Sequence, residues 1–431
     1  MKHASPNANV PLDADDLGSP LAGRKVLIIV ENLPVPFDRR VWNEARTLRA
    51  AGAEVSVICP TGQGFEARYE SIDGIHIYRH TLPLDASSAR GYLLEYGAAL
   101  FHEMRLALKV AWRHGFDTIH ACNPPDLIFL VALPFKLFGK RFIFDHHDIN
   151  PELYEAKFGR RDFFWRLMLQ LERWTFRFAD VVISTNQSYR KIAMDRGDVA
   201  PEDIFVVRSG PALDRLPAPA PPPNAAWRNG RKHMVGYVGV VGDQEGVDLL
   251  LEAAQIIVQE RGEDVQFVLV GGGTSLTGLR EMAARLKLDD HVTFTDRVPD
   301  KVLFEVLSTA DVCVNPDRVN SMNDKSTMNK VLEYMAFAKP IVQFDVTEGR
   351  YSAADASLYA RPNDTADLAA RILEVLNDRR LGVTMGEIGR CRIETSLSWE
   401  HQVDTLIAAY TRAAKKRPRQ WTLRPWRGRP A

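Results

Sequence analysis

Residues 323–345 read NDKSTMNKVLEYMAFAKPIVQFD, a helix-like stretch with polar residues along one edge. Ser326, Lys330 and Glu333 fall at i, i+4 and i+7, so a cation and a carboxylate share a face. Met328, Val331, Leu332, Met335 and Ala336 form the opposing apolar stripe. Asp324 or Ser326 can cap the helix start, and Ala338, Lys339 and Pro340 end it before the strand-like run IVQF. The preceding ADVCVNP reads as a buried strand, which sets the helix start beyond a strand's carboxyl end, where open α/β sheets bind ligands. Free N–H groups at such a start favour a phosphate. The bland alternative is a solvated Lys–Glu pair on a helix surface.

Four further groups could act with that helix. FDHHDINPE, residues 144–152, sets His146, His147 and Asp148 directly after a buried-strand run. A neutral imidazole there can hydrogen-bond a ligand or stabilise charge that develops in a reaction; a structural histidine fits the same pattern, and no third metal ligand is evident nearby. Asp38, Arg39 and Arg40 lead into a helix, and an arginine suits a diphosphate through two parallel hydrogen bonds. The small residues Gly239, Val240, Val241 and Gly242 allow a backbone to approach a phosphate closely. Gly271, Gly272 and Gly273 follow the strand-like VQFVLV, which also suits a tight βα turn. Asp13, Asp15 and Asp16 read as a solvated charge run rather than a metal motif.

The elements that must position these groups alternate β and α. VLIIV, the helix VWNEARTLRAAG and EVSVICP form one βαβ unit; DTIHAC, RFIFDHHD, VVISTN and IFVVRS continue it with helices between. The alternation restarts after a stiff, Pro-rich stretch with MVGYVGVVG, VQFVLVGGG, HVTFTD, DVCVNP and IVQF. The boundaries expected are a disordered lead over 1–23, a first Rossmann-like domain over 24–211, a linker over 212–232, a second Rossmann-like domain over 233–395, a helix over 396–414 and a basic tail over 415–431. At 431 residues, with 45% hydrophobic and 26% charged residues, two globular domains are expected. There is no apolar run of the roughly 20 residues a spanning helix needs, and no signal-peptide core, so a cytoplasmic location is expected. Cys59, Cys122, Cys313 and Cys391 show no paired metal spacing and are expected to be free thiols.

With these residues in place, the chain resembles the retaining nucleotide-sugar glycosyltransferases of family 4, whose helix motif is Glu, seven residues, Glu, within a run like EYMAFAKPIV. The resemblance spans roughly residues 24–414. It implies an α/β protein of the GT-B fold: two Rossmann-like, doubly wound domains facing a central cleft, with the last helix crossing back to the first domain. Glu333 matches the second motif Glu and would accept from both ribose hydroxyls, whereas Lys325 stands where the first is expected. His147 and Asp148 match a His-Asp at this place in the family, which implies catalytic roles for both; Lys325, in the place of the first motif Glu, is expected among the catalytic residues through a different donor-sugar contact, unless Asp324 supplies that contact. Arg297 and Val298 would lie at the base edge, and Gly272 beside the nucleotide. The family usually holds the diphosphate with an Arg shortly after Gly239 and a Lys just before Gly246; here Val240 and Glu245 occupy those places. Compensation would come from Lys330, Lys325, Arg297 or Arg40, beside Gly239, Gly242 and Ser326.

The expected activity is transfer of a hexosyl unit from a nucleotide diphosphate sugar, with retention, and without a metal or other cofactor. The acceptor expected is a polyprenyl-linked saccharide of surface or exopolysaccharide synthesis. Two alternatives stay open: a nucleotide-sugar epimerase, and a non-catalytic GT-B scaffold. Residues 157–178 carry six cations and two acids interleaved with Phe163, Phe164, Trp165, Trp174 and Phe178, the composition of an interfacial helix. From Arg412 onward eight cations stand with no acid, joined by Trp421 and Trp426; since the whole chain sums to zero, the remainder carries −8. That distribution argues for an anionic membrane surface as partner, on the inner face of the cell membrane, and against nucleic acid.

Overall fold

The computed structural model describes residues 19–81 and 89–416, with side chains from residue 97 in the second range. Most of the expected lead and of the basic tail, with Asp13, Asp15, Asp16, Trp421 and Trp426, lies outside the described residues. The chain groups into two compact units. One takes the chain up to Asp145, Trp174–Val182 and the chain from Ile407; the other takes His146–Arg173 and Ile183–Leu406.

The first half of the chain runs β1 (Lys25–Ile29), α1 (Arg39–Ala50), β2 (Glu54–Pro60), β3 (Tyr69–Ile72), β4 (Ile75–His80), α2 (Ala89–Arg113), β5 (Thr118–Cys122), α3 (Phe129–Leu137), β6 (Arg141–His146), α4 (Asn150–Phe158), α5 (Phe163–Phe178), β7 (Val181–Ser184), α6 (Gln187–Asp195) and β8 (Ile204–Val206). Its strands form one sheet in the order β3-β4-β2-β1-β5-β6-β7-β8, with β3 antiparallel to β4 at the edge. β1 lies between β2 and β5, parallel to both, so the strand order reverses there in the doubly wound manner. Asp38 caps α1 by accepting from the Val41 N–H at 3.1 Å.

The second half runs β9 (His233–Val238), α7 (Val247–Gln255), β10 (Val265–Val270), α8 (Leu276–Arg285), β11 (Val292–Phe294), α9 (Asp300–Thr309), β12 (Val312–Asn315), α10 (Asn329–Ala336), β13 (Ile341–Phe344), α11 (Thr347–Ala353), β14 (Ser357–Ala360), α12 (Thr365–Asn377), α13 (Arg379–Arg392) and α14 (Val403–Lys415). Its parallel sheet has the order β11-β10-β9-β12-β13-β14, and its switch point lies between β9 and β12. Its inner strands β9, β12 and β13, with β10, are buried on both faces, which explains their largely apolar runs, whereas the edge strands β11 and β14 are only partly buried. Along β9, Val235 and Tyr237 enter one core cluster and Met234 and Val238 the other. Val331, Leu332, Met335 and Ala336 of α10 pack in the second cluster, the stripe expected from their spacing. α14 from Ile407 belongs to the first unit, where the Tyr410 hydroxyl lies 2.6 Å from His120 Nδ1.

Three of the four free cysteines are buried, and Cys391 is exposed. Among the described residues no helix is long and apolar enough to cross a membrane.

Candidate functional site

A cavity of about 370 Å³ opens in the second unit at the switch point of its sheet. Val238 and Gly239 reach it from the end of β9, Asp317 from just beyond β12, and Lys330 and Glu333 from α10. Asp148, Ile149 and Leu153 line it from the start of α4, and Tyr189 from α6.

The floor is held by backbone packing that only glycine permits. A Cβ on Gly271 would sit 1.8 Å from the Gly239 carbonyl oxygen, and one on Gly273 would sit 2.2 Å from that of Val241. The Gly239 N–H donates to Val270 O at 3.0 Å and the Val241 N–H to Gly272 O at 3.1 Å, locking the loop after β9 against the loop after β10. Tyr237 supports that loop from below, its hydroxyl donating to Val240 O at 2.6 Å. Gly272, the member of the triplet expected beside a nucleotide, has open space over its Cβ position.

α10 begins later than its capping residues suggest. Met328 occupies the N-cap position and supplies no side-chain cap. Asp324 instead accepts from the Thr347 N–H at 2.8 Å, and the Ser326 hydroxyl donates to Met322 O at 2.9 Å while lying 3.0 Å from the Tyr189 hydroxyl. Asn186 pulls the segment away from helical geometry by donating to Lys325 O at 2.8 Å and to Thr327 Oγ1 at 3.1 Å. Met328, Asn329 and Lys330 at the helix start line the cavity, and the N-cap position makes no side-chain cap hydrogen bond, a favourable place for an anion.

Lys330 forms a buried ion pair with Asp317, and its ammonium lies 5.2 Å from the centre of the Tyr237 ring. With its amide nitrogen turned toward Asp317, Asn315 donates to both carboxylate oxygens at 3.1 Å. Burial pushes the Asp317 carboxyl up, and Lys330 pulls it partly back. Burial also raises Glu245, with Lys330 opposing and Asp317 adding to the shift. Four carboxylates, Asp148, Glu245, Asp317 and Glu333, thus share the lining with Lys330. Of the residues singled out by sequence, Asp148, Gly239, Val240, Glu245, Ser326, Lys330 and Glu333 meet in this cavity.

The others lie elsewhere. Gly242 packs beside Glu245, whose Oε2 lies 2.8 Å from a Cβ position on Gly242. Lys325 donates to Ser321 O at 2.6 Å. His147 is half-buried, Val298 packs against the core cluster under α10, and Arg297 is exposed on the loop after β11. In the first unit the Arg40 guanidinium is buried against Asp145 at 2.9 and 3.2 Å and Glu44 at 3.2 Å. His146 is fully buried, 3.6 Å from Glu172.

Sequence reading missed Asp317, Tyr189, Tyr237 and Arg208. Arg208 is buried and pairs with Glu348 at 3.2 Å, and its guanidinium lies 3.4 Å from Thr327 Oγ1, behind the cavity wall. Its signal was an arginine closing the strand run IFVVRS; Asp317 had the matching one, following Asn-Pro at the end of β12.

If a diphosphate enters this cavity, Glu245 opposes it. A bound anion favours the neutral carboxyl, so affinity is expected to fall as pH rises through the elevated pKa of Glu245. Glu245→Gln is expected to bind nucleoside diphosphate several-fold tighter at pH 8, by about 1 kcal/mol, and to lose this part of the pH dependence. Calorimetry of both proteins across pH checks it; parallel pH profiles would place Glu245 outside the reach of the ligand.

Two α/β units with mostly parallel, doubly wound sheets, and a cavity at the second switch point, define a protein of the GT-B class. Residues 38–215 match the sequence profile described as Glycosyltransferase Family 4, and residues 232–378 match that described as Glycosyl transferases group 1. The chain belongs to glycosyltransferase family 4. It is 31% identical over 251 residues to a D-inositol 3-phosphate glycosyltransferase of Geodermatophilus obscurus, covering 55% of this chain and 54% of that protein. It is 28% identical over 156 residues to an alpha-D-kanosaminyltransferase of Streptomyces kanamyceticus, covering 36% of this chain and 39% of that one. The chain thus spans about half or less of the length of these two relatives. In fold it is similar to sucrose-phosphate synthase from Thermosynechococcus elongatus, with a TM-score of 0.75 at 19% identity over 90% of this chain and 98% of that one. Anabaena HepE in complex with UDP and glucose gives 0.68 at 15% identity over 90% and 99%.

Proposed function

We propose that the chain transfers a hexosyl unit, with retention, from a nucleotide diphosphate sugar to a lipid-linked saccharide. The observation that carries this reading is the meeting of Glu333, Lys330 and the uncapped start of α10 in one cavity at a switch point. In this reading Glu333 accepts from the ribose hydroxyls, and Lys330 with the N–H groups of α10 faces the diphosphate, so no metal is required. The Anabaena HepE complex, which shares the fold, holds UDP and glucose and supports a nucleotide-sugar donor. For the acceptor, the relative named for D-inositol 3-phosphate favours a second reading, a small phosphorylated polyol.

The test is nucleoside diphosphate release from a panel of nucleotide sugars, in the presence of EDTA, with prenyl-linked and polyol phosphate acceptors. Release by none of them, at protein concentrations that bind nucleotide, would favour the scaffold reading. Anomeric analysis of the product decides retention, and conversion of the donor sugar without transfer would mark an epimerase.

His147→Ala is expected to slow turnover with little change in donor affinity, as for a contact made mainly in the transition state. His146→Ala is expected instead to lower the melting temperature, because His146 is fully buried beside Glu172 and Tyr189. Steady-state kinetics and thermal melts of the two variants check the assignment, and the reverse pattern would shift the active histidine by one position.

The membrane part of the reading is supported by α5, where Phe163, Phe164 and Trp174 are exposed among Arg166, Arg173 and Arg177. Cosedimentation with anionic and neutral vesicles tests it. Binding that ignores salt and headgroup charge would remove the anionic surface from the proposal.

A further inference from the structure

Glu54 opens β2, His76 is the second residue of its parallel neighbour β4, and His114 directly follows α2. One ligand atom from each of the three lies within 4.8 Å of the others. We propose that these residues form a divalent transition-metal site, of the kind that takes zinc, at the amino end of the first unit's sheet.

The case rests on how each ligand is held through the atom it does not need. Tyr69 Oη lies 3.2 Å from His76 Nδ1, and Tyr78 Oη lies 2.8 Å from His114 Nε2. That leaves His76 Nε2 and His114 Nδ1 for a cation, and His114 Nδ1 already lies 3.6 Å from Glu54 Oε1. Lys25 engages the other Glu54 oxygen, Oε2, at 3.1 Å and donates to the His114 carbonyl at 2.6 Å. Outer partners that orient a ligand through its second polar atom are what metal sites require. They come from separate elements, since Tyr69 and Tyr78 are cross-strand partners on β3 and β4.

The imidazoles stack, with ring centres 4.1 Å apart and planes inclined by 23°. Capture of a cation turns the rings so that their free nitrogens converge on the roughly 3.3 Å ligand spacing of a tetrahedral site. Two imidazoles and one carboxylate suit zinc, with water as fourth ligand; calcium and magnesium call for more oxygen ligands. Glu54 and His76 stand at the amino ends of their strands, whereas this fold class binds its substrates beyond the carboxyl ends. The metal therefore clips β2, β4 and the end of α2 together, and takes no part in transfer. A second cluster, Glu44, His120, Cys122 and Asp145, has the ligand types but is filled by the Arg40 guanidinium.

The full chain, stripped with a chelator, is titrated with Zn²⁺ by calorimetry and with Co²⁺ by visible absorption. Expected are one saturable ion per chain, tetrahedral-type Co²⁺ bands and a zinc-dependent rise in melting temperature. All three should be lost in the His76→Gln, His114→Gln double variant and kept in Cys391→Ser. Tyr78→Phe should weaken zinc about 10- to 100-fold. Labelling of the unaltered chain with diethyl pyrocarbonate keeps the test free of folding effects: zinc should protect His76 and His114. Absence of saturable binding, binding undiminished in the double variant, or equal labelling with and without zinc would each overturn the proposal.

Discussion

Glu333→Ala is expected to weaken nucleotide-sugar binding about ten- to hundredfold while leaving the melting temperature nearly unchanged. Glu333 lies on the cavity side of α10, half-buried, and the apolar stripe that anchors the helix runs through Val331, Leu332, Met335 and Ala336. Removing its carboxylate therefore leaves the core contacts of the helix in place. In the proposed function, what is lost is a charge-assisted acceptor for two ribose hydroxyls, about 1.5 to 3 kcal/mol. Glu333→Gln keeps one acceptor oxygen without the charge and should fall between. Calorimetry with nucleoside, nucleoside diphosphate and nucleotide sugar makes the test specific, because a ribose contact weakens all three alike. Undiminished affinity would remove Glu333 from the site.

Much of this arrangement was legible in the sequence, because it depends on local periodicity. The strands β9, β10 and β12 are buried on both faces and so read as largely apolar runs, and the stripe on α10 follows from helical spacing alone. What was not legible depends on partners far away in the chain. The start of α10 is set by Asn186, about 140 positions upstream of the atoms it binds, which overrides the local capping signal at Asp324 and Ser326. Arg40 reads as an available phosphate ligand until Asp145, 105 positions on, is seen to hold it. Gly271 and Gly273 read only as a tight βα turn, whereas their reason is the backbone of residues 239 and 241 pressed against them. Such contacts are set by topology, and spacing along the chain carries no trace of them.

The buried pair Lys330–Asp317 gives the second large effect, and it separates structural from binding roles. Asp317 is 4% exposed and is neutralised by Lys330 alone among the cations lining the cavity. Lys330→Ala strands that carboxyl, and breaking a buried pair by removing one partner costs about 3 to 5 kcal/mol. The pH dependence follows from the direction of the shift. Burial already raises Asp317 in the folded protein, and loss of Lys330 raises it further. Between the unfolded and folded pKa values the folded variant then binds the extra proton, so its stability falls as pH rises through that window and recovers below the ordinary carboxylate range. Denaturant unfolding of wild type and Lys330→Ala at several pH values measures this. The double variant Lys330→Met, Asp317→Asn removes both charges and should regain most of the stability. It should not regain diphosphate affinity, because no ammonium remains beside the start of α10. Nucleoside affinity in the double variant should stay close to wild type while nucleoside diphosphate affinity falls about tenfold or more. Equal losses for the two ligands would show that Lys330 only holds Asp317, and that the diphosphate is received by the helix start and by residues other than this lysine.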